Sequence, residues 1–290
     1  MGRQQGSDET VEHSASRVHT SHDGPRVSVV TPTFNSSLYL RDTLASVAGQ
    51  TYPAIEHIIV DGGSTDETLS IVAEYPRVRC ITGRDTGMYD AINKGLRAAS
   101  GTIVAYLNSD DLYFPDTVER VVRYFNDHPA ADLVFGNCRY IDDEGKELFI
   151  RKYPSFRWRL YSVLDGSTIP QQSCFWRRRL VKRVGYFDER FRMAGDFEFF
   201  IRAGRESVVG RIGGPPLAQF RFHPGMQTLN RKAANDAEVE QIHALHPAGP
   251  RWLIPLLRFI ATMRYRSANL HRIRDKMGDR LTGKTITYRP

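Results

Sequence analysis

Strand-like and helix-like segments alternate along residues 27–107, and this alternation constrains the fold more than any other feature of the sequence. Apolar runs typical of buried strands cover residues 27–31, 55–60, 78–82 and 103–107. Helical patterns lie between them, at residues 37–48, 66–74 and 88–99. Strands joined in this way pair in parallel, with helices covering the sheet. The first half of the chain therefore predicts an α/β fold with a mostly parallel sheet flanked by helices.

The second half of the chain departs from this regular alternation. The pattern predicts helices at residues 118–125 and 178–184 and a third helix that carries Asp196, with strands at residues 132–135 and 218–222. A hairpin is expected around Asp142 to Gly145, and residues 152–172 read as a loop-rich region. The sheet is therefore expected to become mixed.

The chain of 290 residues carries a net charge of +7, and much of the excess lies near its C-terminus. Residues 251–280 hold seven Arg and one Lys but only two Asp. No basic stripe interleaves with aromatic residues in the remaining sequence, and no nucleic-acid-binding motif is present, so we expect no nucleic-acid partner. The charge distribution instead favours a C-terminal segment that binds a surface.

Three regions follow from composition. Residues 1–25 are polar, lack the apolar core of a secretory signal, and are expected to be disordered. Residues 26–225 form the expected α/β domain, and residues 226–290 a basic, helical C-terminal extension. The three cysteines have no CxxC spacing, which argues against a zinc site or a disulfide framework and favours a reducing, cytoplasmic location.

The apolar segment 252–263 has two interpretations. It is too short to span a bilayer, and it contains Pro255 and Arg258. It either lies on a membrane surface, which would make the protein peripheral on the inner face of the cytoplasmic membrane, or docks on the domain as an ordinary C-terminal helix.

Acidic residues follow two of the predicted strands. Asp61 ends the second strand, and Asp110 and Asp111 follow the fourth. The carboxyl ends of parallel strands meet at one edge of a sheet, where α/β folds bind ligands. Hard oxygen donors suit Mg²⁺ or Mn²⁺, which usually bind together with substrate phosphates. The alternative is a solvated turn in which Asp111 caps a helix. Since no GxGxxG or P-loop sequence is present, the pattern favours a nucleotide bound through a metal.

Several motifs in a fixed order resemble one family. They are residues 27–35 (VSVVTPTFN), 50–53 (QTYP), 59–68 (IVDGGSTDET), 85–95 (DTGMYDAINKG) and 107–111 (LNSDD). Over residues 27–223 the chain resembles the family 2 inverting glycosyltransferases of GT-A fold. The resemblance implies a nucleotide-sugar-binding fold, with residues 26–225 as the GT-A catalytic domain and the C-terminal helical extension added to it.

The resemblance also implies the donor site. Pro32, Thr33 and Phe34 match the pocket for the nucleobase, where an aromatic ring packs on the base, and Asp61 matches the acid that hydrogen-bonds the base. Taken from the residue alone, Phe34 is equally well a core aromatic.

Three further residues match the donor site of the family. Arg84 and Asp85 match positions that line the sugar-nucleotide site, and a guanidinium offers paired donors to phosphate oxygens. Asp110 matches a position that contacts the ribose or a metal-bound water. Surface ion pairing is the alternative for Arg84 and Asp85.

The expected metal is Mg²⁺ or Mn²⁺. Asp111 matches the direct ligand of the family, and His223 matches a position that completes the coordination in some relatives. Asn108 stands at a position that is often acidic in the family.

The catalytic base of the family matches Asp196, within residues 193–202 (MAGDFEFFIR). Inversion needs one carboxylate that takes the proton of the acceptor hydroxyl while that hydroxyl attacks the anomeric carbon. Asp196 is alternatively a helix N-cap.

These residues favour a metal-dependent, inverting, hexosyltransferase-like enzyme. It would move a single sugar from a nucleotide-sugar donor to a hydroxyl of a glycan or lipid-linked acceptor in polysaccharide or glycolipid biosynthesis. The chain lacks the QxxRW motif that accompanies processive synthases of the family. Two alternatives stay open: a non-catalytic nucleotide-sugar-binding subunit of a membrane assembly, and a nucleotidyltransferase.

Overall fold

The computed structural model describes residues 24–164, 169–226 and 231–270. Its strands are β1 (Val27–Thr33), β2 (Ile55–Asp61), β3 (Arg79–Thr82), β4 (Ile103–Tyr106), β5 (Leu112–Tyr113), β6 (Leu133–Phe135), β7 (Cys138–Ile141), β8 (Glu147–Arg151), β9 (Cys174–Arg177), β10 (Val209–Arg211) and β11 (Ala218–Arg221). Its helices are α1 (Ser37–Ala48), α2 (Thr68–Ala73), α3 (Met88–Ala98), α4 (Thr117–Asp127), α5 (Trp158–Tyr161), α6 (Arg178–Val184), α7 (Gly195–Glu206), α8 (Lys232–Leu245) and α9 (Ile254–Ala268).

A seven-stranded sheet in the order β10-β6-β9-β4-β1-β2-β3 forms the centre of the fold. Strands β1, β2, β3 and β4 pair in parallel, while β9 runs antiparallel to both of its neighbours, β4 and β6. All seven residues of β1 are buried, as expected for a strand covered on both faces. The prediction of an α/β fold with a mostly parallel, mixed sheet flanked by helices is confirmed.

A second sheet of four short strands, in the order β5-β11-β7-β8, lies beside the first. The expected hairpin is present: β7 and β8 pair antiparallel across Asp142 to Gly145. It belongs to this second sheet rather than continuing the first, because β7 pairs with β11. Since β11 also pairs with β5, which follows Asp111, the second sheet brings a late part of the chain against the acidic turn after β4.

The amphipathic helices bury one face each, which is the pattern that predicted them. In α3 the side chains of Tyr89, Ile92 and Leu96 are buried, and in α4 those of Val118 and Phe125. Burial of a side chain of this size stabilises the fold by about 1.5–3 kcal/mol relative to exposure. These contacts fix the loops between strands and helices, where the cleft lies.

The C-terminal helices contact the rest of the fold. Val239 and Ile242 on α8 join the main hydrophobic core. Among the described residues, no helix is both long enough and apolar enough to cross a bilayer. The disorder expected at the N-terminus falls on residues 1–23, outside the described residues, as does the sequence after residue 270. The division at residues 25 and 225 stays a prediction.

Candidate functional site

A cleft of about 330 Å³ opens where β1 and β4 end. Residues from six parts of the chain line it: Pro32, Thr33, Phe34, Ser36, Asp85, Gly87, Met88, Ala91, Asn108, Ser109, Asp110, Arg192, Met193, Phe220 and Met226. Because β1, β2 and β4 are parallel neighbours, their carboxyl ends meet at this edge. Five of the residues predicted from sequence, Pro32, Thr33, Phe34, Asp85 and Asp110, therefore share one cleft.

Asp61 lies fully buried at the end of β2, opposite Thr33 of β1. Its Oδ1 accepts hydrogen bonds from the backbone N–H groups of Gly63 (3.0 Å) and Ser64 (2.8 Å). Its Oδ2 accepts from the hydroxyls of Thr33 (2.9 Å) and Ser64 (2.6 Å). The carboxylate thus fixes the loop after β2 against the end of β1, which lines the cleft, while Asp61 itself lies behind that lining.

Phe34 projects from the end of β1 with 64% of its surface exposed. It is therefore not a core aromatic, which removes the alternative left open by the sequence. The next residue, Asn35, has φ of 48°, a left-handed conformation that Asn tolerates better than most residues. Its side-chain oxygen accepts a hydrogen bond from Thr65 (2.9 Å), which holds the turn that presents Phe34.

The adjacent carboxylates of Asp110 and Asp111 face different surroundings. Asp110 lines the cleft, and its Oδ2 lies 2.9 Å from Nε2 of His223. Asp111 is fully buried, and its Oδ1 accepts the backbone N–H of Arg221 (3.2 Å). Burial, and then the charge of Asp110, raise the pKa of the Asp111 carboxyl well above its usual range.

The strand β11 supplies Arg221, which reasoning from sequence did not single out. Its buried guanidinium donates to the carbonyls of Asp110 (3.3 Å) and Asp143 (2.9 Å) and to the carboxylate of Asp42 (2.8 Å). It also lies over the ring of Tyr39, with the guanidinium carbon 4.6 Å from the ring centroid. Arg221 therefore joins both sheets at the acidic turn. The only signal in the sequence was its place two residues before His223.

The side chains around Asp110 include atoms that could bind a divalent cation. Asn108 lines the cleft, and its Oδ1 is buried without a hydrogen-bond partner. A buried amide oxygen without a partner costs roughly 1–3 kcal/mol, so it marks a place for a ligand or cation. Together with Asp110 and His223 it gives the oxygen and imidazole donors that Mn²⁺ accepts. Three protein donors leave room for phosphate oxygens and water, so the residues fit the predicted metal.

The described part of the chain contains no preformed cluster of three or more His, Cys, Asp or Glu side chains that could hold a metal. The donor set just described includes an amide oxygen and only two such side chains. Mg²⁺ and Mn²⁺ commonly complete their coordination with substrate phosphates, which suits a site that is incomplete by itself.

Arg84 and Asp85, in the loop after β3, were both predicted to line the donor site, but they have different surroundings. Asp85 lines the cleft, and burial raises the pKa of its carboxyl. Arg84 is exposed and does not line the cleft, whereas Arg192, which the sequence did not single out, does. The guanidinium of Arg192 lies against Gly87, where a Cβ would overlap it, and Gly87 has φ of 145°. Only glycine suits that position.

Asp196 is half-buried and is the second residue of α7. It lies three positions after Met193, which lines the cleft. Its Oδ1 accepts the hydroxyl of Tyr89 (3.2 Å) and the backbone N–H of Phe197 (2.8 Å). Burial raises the pKa of the Asp196 carboxyl, and these two hydrogen bonds offset part of that effect. The helix N-cap is Ala194, so Asp196 is not the N-cap.

Glu198, two positions further along, has a different environment. It is buried and forms an ion pair with Arg202 (2.6 Å), and its Oε1 lies 3.1 Å from Nε2 of His246. Of the two acids in the first turn of α7, Glu198 thus pairs with the guanidinium of Arg202, whereas Asp196 is held by neutral donors.

The loop before α7 is anchored by a residue from α8. The carboxylate of Glu238 accepts backbone hydrogen bonds from Arg192 (2.8 Å), Met193 (2.8 Å) and Ala194 (2.9 Å). This contact links the C-terminal helix to the loop that carries two cleft residues and leads to Asp196. No sequence pattern signals this contact, because the partners of Glu238 are backbone groups about 45 positions away.

Comparisons with known proteins agree with this architecture. The family described as "Glycosyl transferase family 2" matches residues 28–185, more than half of the chain. The chain is 38% identical over 188 residues to a PGL/p-HBAD biosynthesis glycosyltransferase of Mycobacterium bovis (strain BCG / Pasteur 1173P2), an alignment that covers 61% of this chain and 69% of the relative.

Two solved structures share the fold. One is S. aureus TarS 1-349 in complex with UDP-GlcNAc, with a TM-score of 0.63 and 19% identity, covering 83% of this chain and 73% of that one. The other is the mannosyltransferase PcManGT from Pyrobaculum calidifontis in complex with GDP-Man and Mn²⁺, with a TM-score of 0.60 and 21% identity, covering 85% and 71%.

The fold and the cleft at the ends of parallel strands define a glycosyltransferase of GT-A type, as predicted. The chain belongs to glycosyl transferase family 2.

Proposed function

We propose that this protein transfers a single sugar from a nucleotide-sugar donor to a hydroxyl group, with inversion at the anomeric carbon and with the help of Mg²⁺ or Mn²⁺. The observation that carries the proposal is the single cleft that holds Phe34, Asp85 and Asp110, with Asp196 just beyond Met193. It combines a surface for a base, donors for a cation and a carboxylate for the acceptor.

The donor would bind along the lining of this cleft. The exposed ring of Phe34 would pack on the nucleobase, with Pro32 and Thr33 beside it, while Asp61 shapes the loop at the edge of the base and hydrogen-bonds the base after local rearrangement. Asp85 and Asp110 would face the ribose and the sugar. Arg192 is placed to pair with the diphosphate, in addition to the predicted Arg84.

A divalent cation would be held at Asp110, Asn108 and His223, and by Asp111 once its carboxylate turns from the backbone of Arg221 toward the cleft. When bound, the cation supplies positive charge that stabilises the departing diphosphate. Two solved structures support this donor class by their contents, since TarS binds UDP-GlcNAc and PcManGT binds GDP-Man with Mn²⁺.

The chemistry would depend on Asp196 as the general base. Its carboxylate would take the proton of the acceptor hydroxyl as that oxygen bonds to the anomeric carbon, while the bond from this carbon to the diphosphate breaks on the opposite face. The nucleoside diphosphate leaves with the bonding electrons. Tyr89 and the N–H of Phe197 hold Oδ1 and so orient the group. General-base catalysis of this kind contributes about 10²–10⁴-fold.

The acceptor would be a hydroxyl of a glycan or of a lipid-linked precursor in polysaccharide or glycolipid biosynthesis. The mycobacterial relative is named for PGL/p-HBAD biosynthesis, which supports an acceptor from a biosynthetic pathway of that kind. We place the protein in the cytoplasm, peripheral on the inner face of the membrane.

Calorimetry with purified protein tests the donor assignment. UDP, GDP, dTDP and CMP sugars are titrated first with Mn²⁺ and then with chelator. Binding of one nucleotide class only in the presence of metal is the expected result. Failure of every donor under both conditions would overturn the donor assignment and favour a different role for the fold.

Two variants separate the roles of the carboxylates. Asp196→Asn is expected to keep donor affinity and lower transfer at least about 100-fold, and Asp111→Ala to abolish metal-dependent donor binding. Asp127→Asn, on an exposed position of α4, is the matched control. Unchanged turnover in Asp196→Asn would contradict the assignment of the base. If the wild-type product is a nucleotidyl ester rather than a glycoside, the protein is instead a nucleotidyltransferase.

A further inference from the structure

The helix α9 is fixed to the domain by one face only. Ala261 on this helix is buried with Val163 and Ala248, and Leu257 packs against the same small cluster. The guanidinium of Arg258 donates to the carbonyl of Val163 (3.1 Å). Further along, Asn269 exchanges hydrogen bonds with the backbone of Lys152 (2.7 and 2.9 Å). One face of segment 252–263 therefore docks on the domain, which was one of the two interpretations of this segment.

The opposite face of the same segment is apolar and exposed. It consists of Trp252, Leu256, Phe259, Ile260 and Met263, which are 78%, 53%, 64%, 37% and 47% exposed. Intervals of four, three, one and three residues place these side chains on one stripe at helical periodicity. Six of the twelve large apolar side chains that are exposed in the described chain lie within residues 252–270. Such a concentration, rather than scattered single residues, marks an interaction surface.

The charged residues of the segment that carries this stripe are all positive. Residues 251–270 contain four Arg and neither Asp nor Glu. Arg251 and Arg266, at the two ends of the helical segment, are exposed. Residues 271–290, outside the described residues, add six basic residues against two acidic ones. A partner that suits an apolar stripe within such a region must offer both a hydrocarbon phase and negative charge.

We propose that this stripe, together with its flanking Arg residues, docks the protein on an anionic lipid bilayer, with α9 lying in the plane of the interface. A helix of 15 residues extends about 22 Å, which is shorter than the hydrocarbon core of a bilayer and therefore fits an interfacial rather than a spanning position. Apolar burial and attraction of Arg to anionic headgroups act together in such contacts.

A second copy of the chain is a poorer occupant of the same surface. Each copy would bring a segment with four Arg and no carboxylate of its own, so two such segments would repel each other. The inference deepens the proposed function, since it places the enzyme where a lipid-linked acceptor lies, but the lipid contact itself does not depend on transfer.

Trp252 provides a direct reporter for the experiment. It is 78% exposed, Trp176 is fully buried and Trp158 is half-buried, so in a Trp158→Phe background a blue shift of the emission on addition of vesicles reports on the stripe. The full chain is titrated with vesicles of phosphatidylcholine alone and with vesicles containing about 30% phosphatidylglycerol. Co-sedimentation measures the bound fraction. Binding and a blue shift with the anionic vesicles alone are the expected results.

A double variant tests the stripe itself. Trp252→Ala/Phe259→Ala is expected to weaken binding to anionic vesicles at least about tenfold. The matched control is Leu69→Ala/Val208→Ala, which removes two exposed apolar side chains elsewhere. Failure of the wild-type chain to bind anionic vesicles, or equal binding of the double variant, would overturn the proposal. So would a dimer in sedimentation that the double variant abolishes, because the stripe would then face a second copy.

Donor calorimetry on the same double variant separates this proposal from the proposed function. Unchanged donor affinity shows that the variant is folded. Vesicle binding without donor binding in the wild-type chain would support the lipid surface and contradict only the transferase assignment.

Discussion

Glu238 of α8 accepts a backbone hydrogen bond of 2.9 Å from Ala194, the N-cap residue of the helix that carries Asp196. Arg192 and Met193 donate to the same carboxylate. One side chain therefore satisfies three consecutive N–H groups at a point where a helix begins. Hydrogen bonds to a charged group contribute more than neutral ones, at about 1.5–3 kcal/mol each.

Glu238→Gln should lower kcat about tenfold while changing donor affinity less than threefold. An amide offers one acceptor oxygen where the carboxylate offers two, so the loop that leads to Asp196 loses part of its anchor. The negative charge of Glu238 also raises the pKa of Asp196, so its removal should shift the acidic limb of the kcat profile to lower pH. A kcat against pH profile measures both effects.

The control for that variant is Glu240→Gln, which changes an exposed glutamate on the same helix. Equal effects of the two substitutions would show that Glu238 contributes only to the stability of α8. A kcat profile of Glu238→Gln that keeps its wild-type shape would do the same.

Tyr89→Phe should shift the acidic limb of kcat in the opposite direction. A general base works when ionised, so activity falls as the pH falls through its pKa. Burial raises the pKa of Asp196, and the hydroxyl of Tyr89 lowers it by donating to Oδ1. Without the hydroxyl the pKa of Asp196 rises further, and activity is lost at a higher pH. Tyr186→Phe, at an exposed position, should leave the profile unchanged.

His57 should make the stability of the fold depend on pH. The ring is buried in β2, with Nε2 3.0 Å from the hydroxyl of Thr31, and burial lowers the pKa of His57 to about 4. The unfolded chain, with a His pKa near 6.5, binds the proton first. Stability is therefore complete above about pH 6.5 and is lost as the pH falls toward 4, by up to about 3 kcal/mol.

Urea denaturation at a series of pH values checks this dependence. His57→Gln should flatten the slope of unfolding free energy between about pH 4 and 6.5, because the variant has no proton to bind there. His128→Gln removes an exposed imidazole and serves as the control. A slope that persists in His57→Gln would assign the pH dependence to other groups.

Gly95→Ala should destabilise the fold by about 1–3 kcal/mol. Gly95 lies in α3 where the helix crosses the sheet, and a Cβ there would overlap the side chains of Val30 and Val60. On helix propensity alone the same change would stabilise by about 1 kcal/mol, so the sign of the result decides which effect dominates. Gly213→Ala, where only the tip of Arg211 is near, should be close to neutral in the same denaturation experiment.

The first half of the fold could be predicted because local patterns and final contacts agree there. Helix α1 was predicted with the bounds that the structure gives, and β1 and β2 within two residues. Their apolar residues repeat at the spacing of the element that they form. The short strands β9 and β10 were not predicted, because runs of four and three residues carry too little periodicity, and only their neighbours make them strands.

The candidate site divides in the same way. Asp85 and Asp110 lie at the predicted cleft, because topology alone brings the ends of parallel strands together. The resemblance implied Asp111 as the direct ligand, yet Asp110 lines the cleft and Asp111 is buried, since the turn after β4 and the late strand β11 set the directions of the two side chains. Arg192 and Glu238 were missed because their contacts are with backbone and with a distant loop, which leave no pattern in the sequence.

The position of β9 in the sheet affects how the chain folds during its synthesis. This strand lies between β4 and β6 and carries the fully buried Trp176, yet Cys174 comes 68 positions after Tyr106 in the sequence. At about 5–20 residues per second, a ribosome delivers β9 several seconds after β4 has left it. During that interval the growing chain carries unpaired strand edges on β4 and β6, and such edges pair readily with other chains. The nascent polypeptide is thus most vulnerable to aggregation before residue 177 has been added.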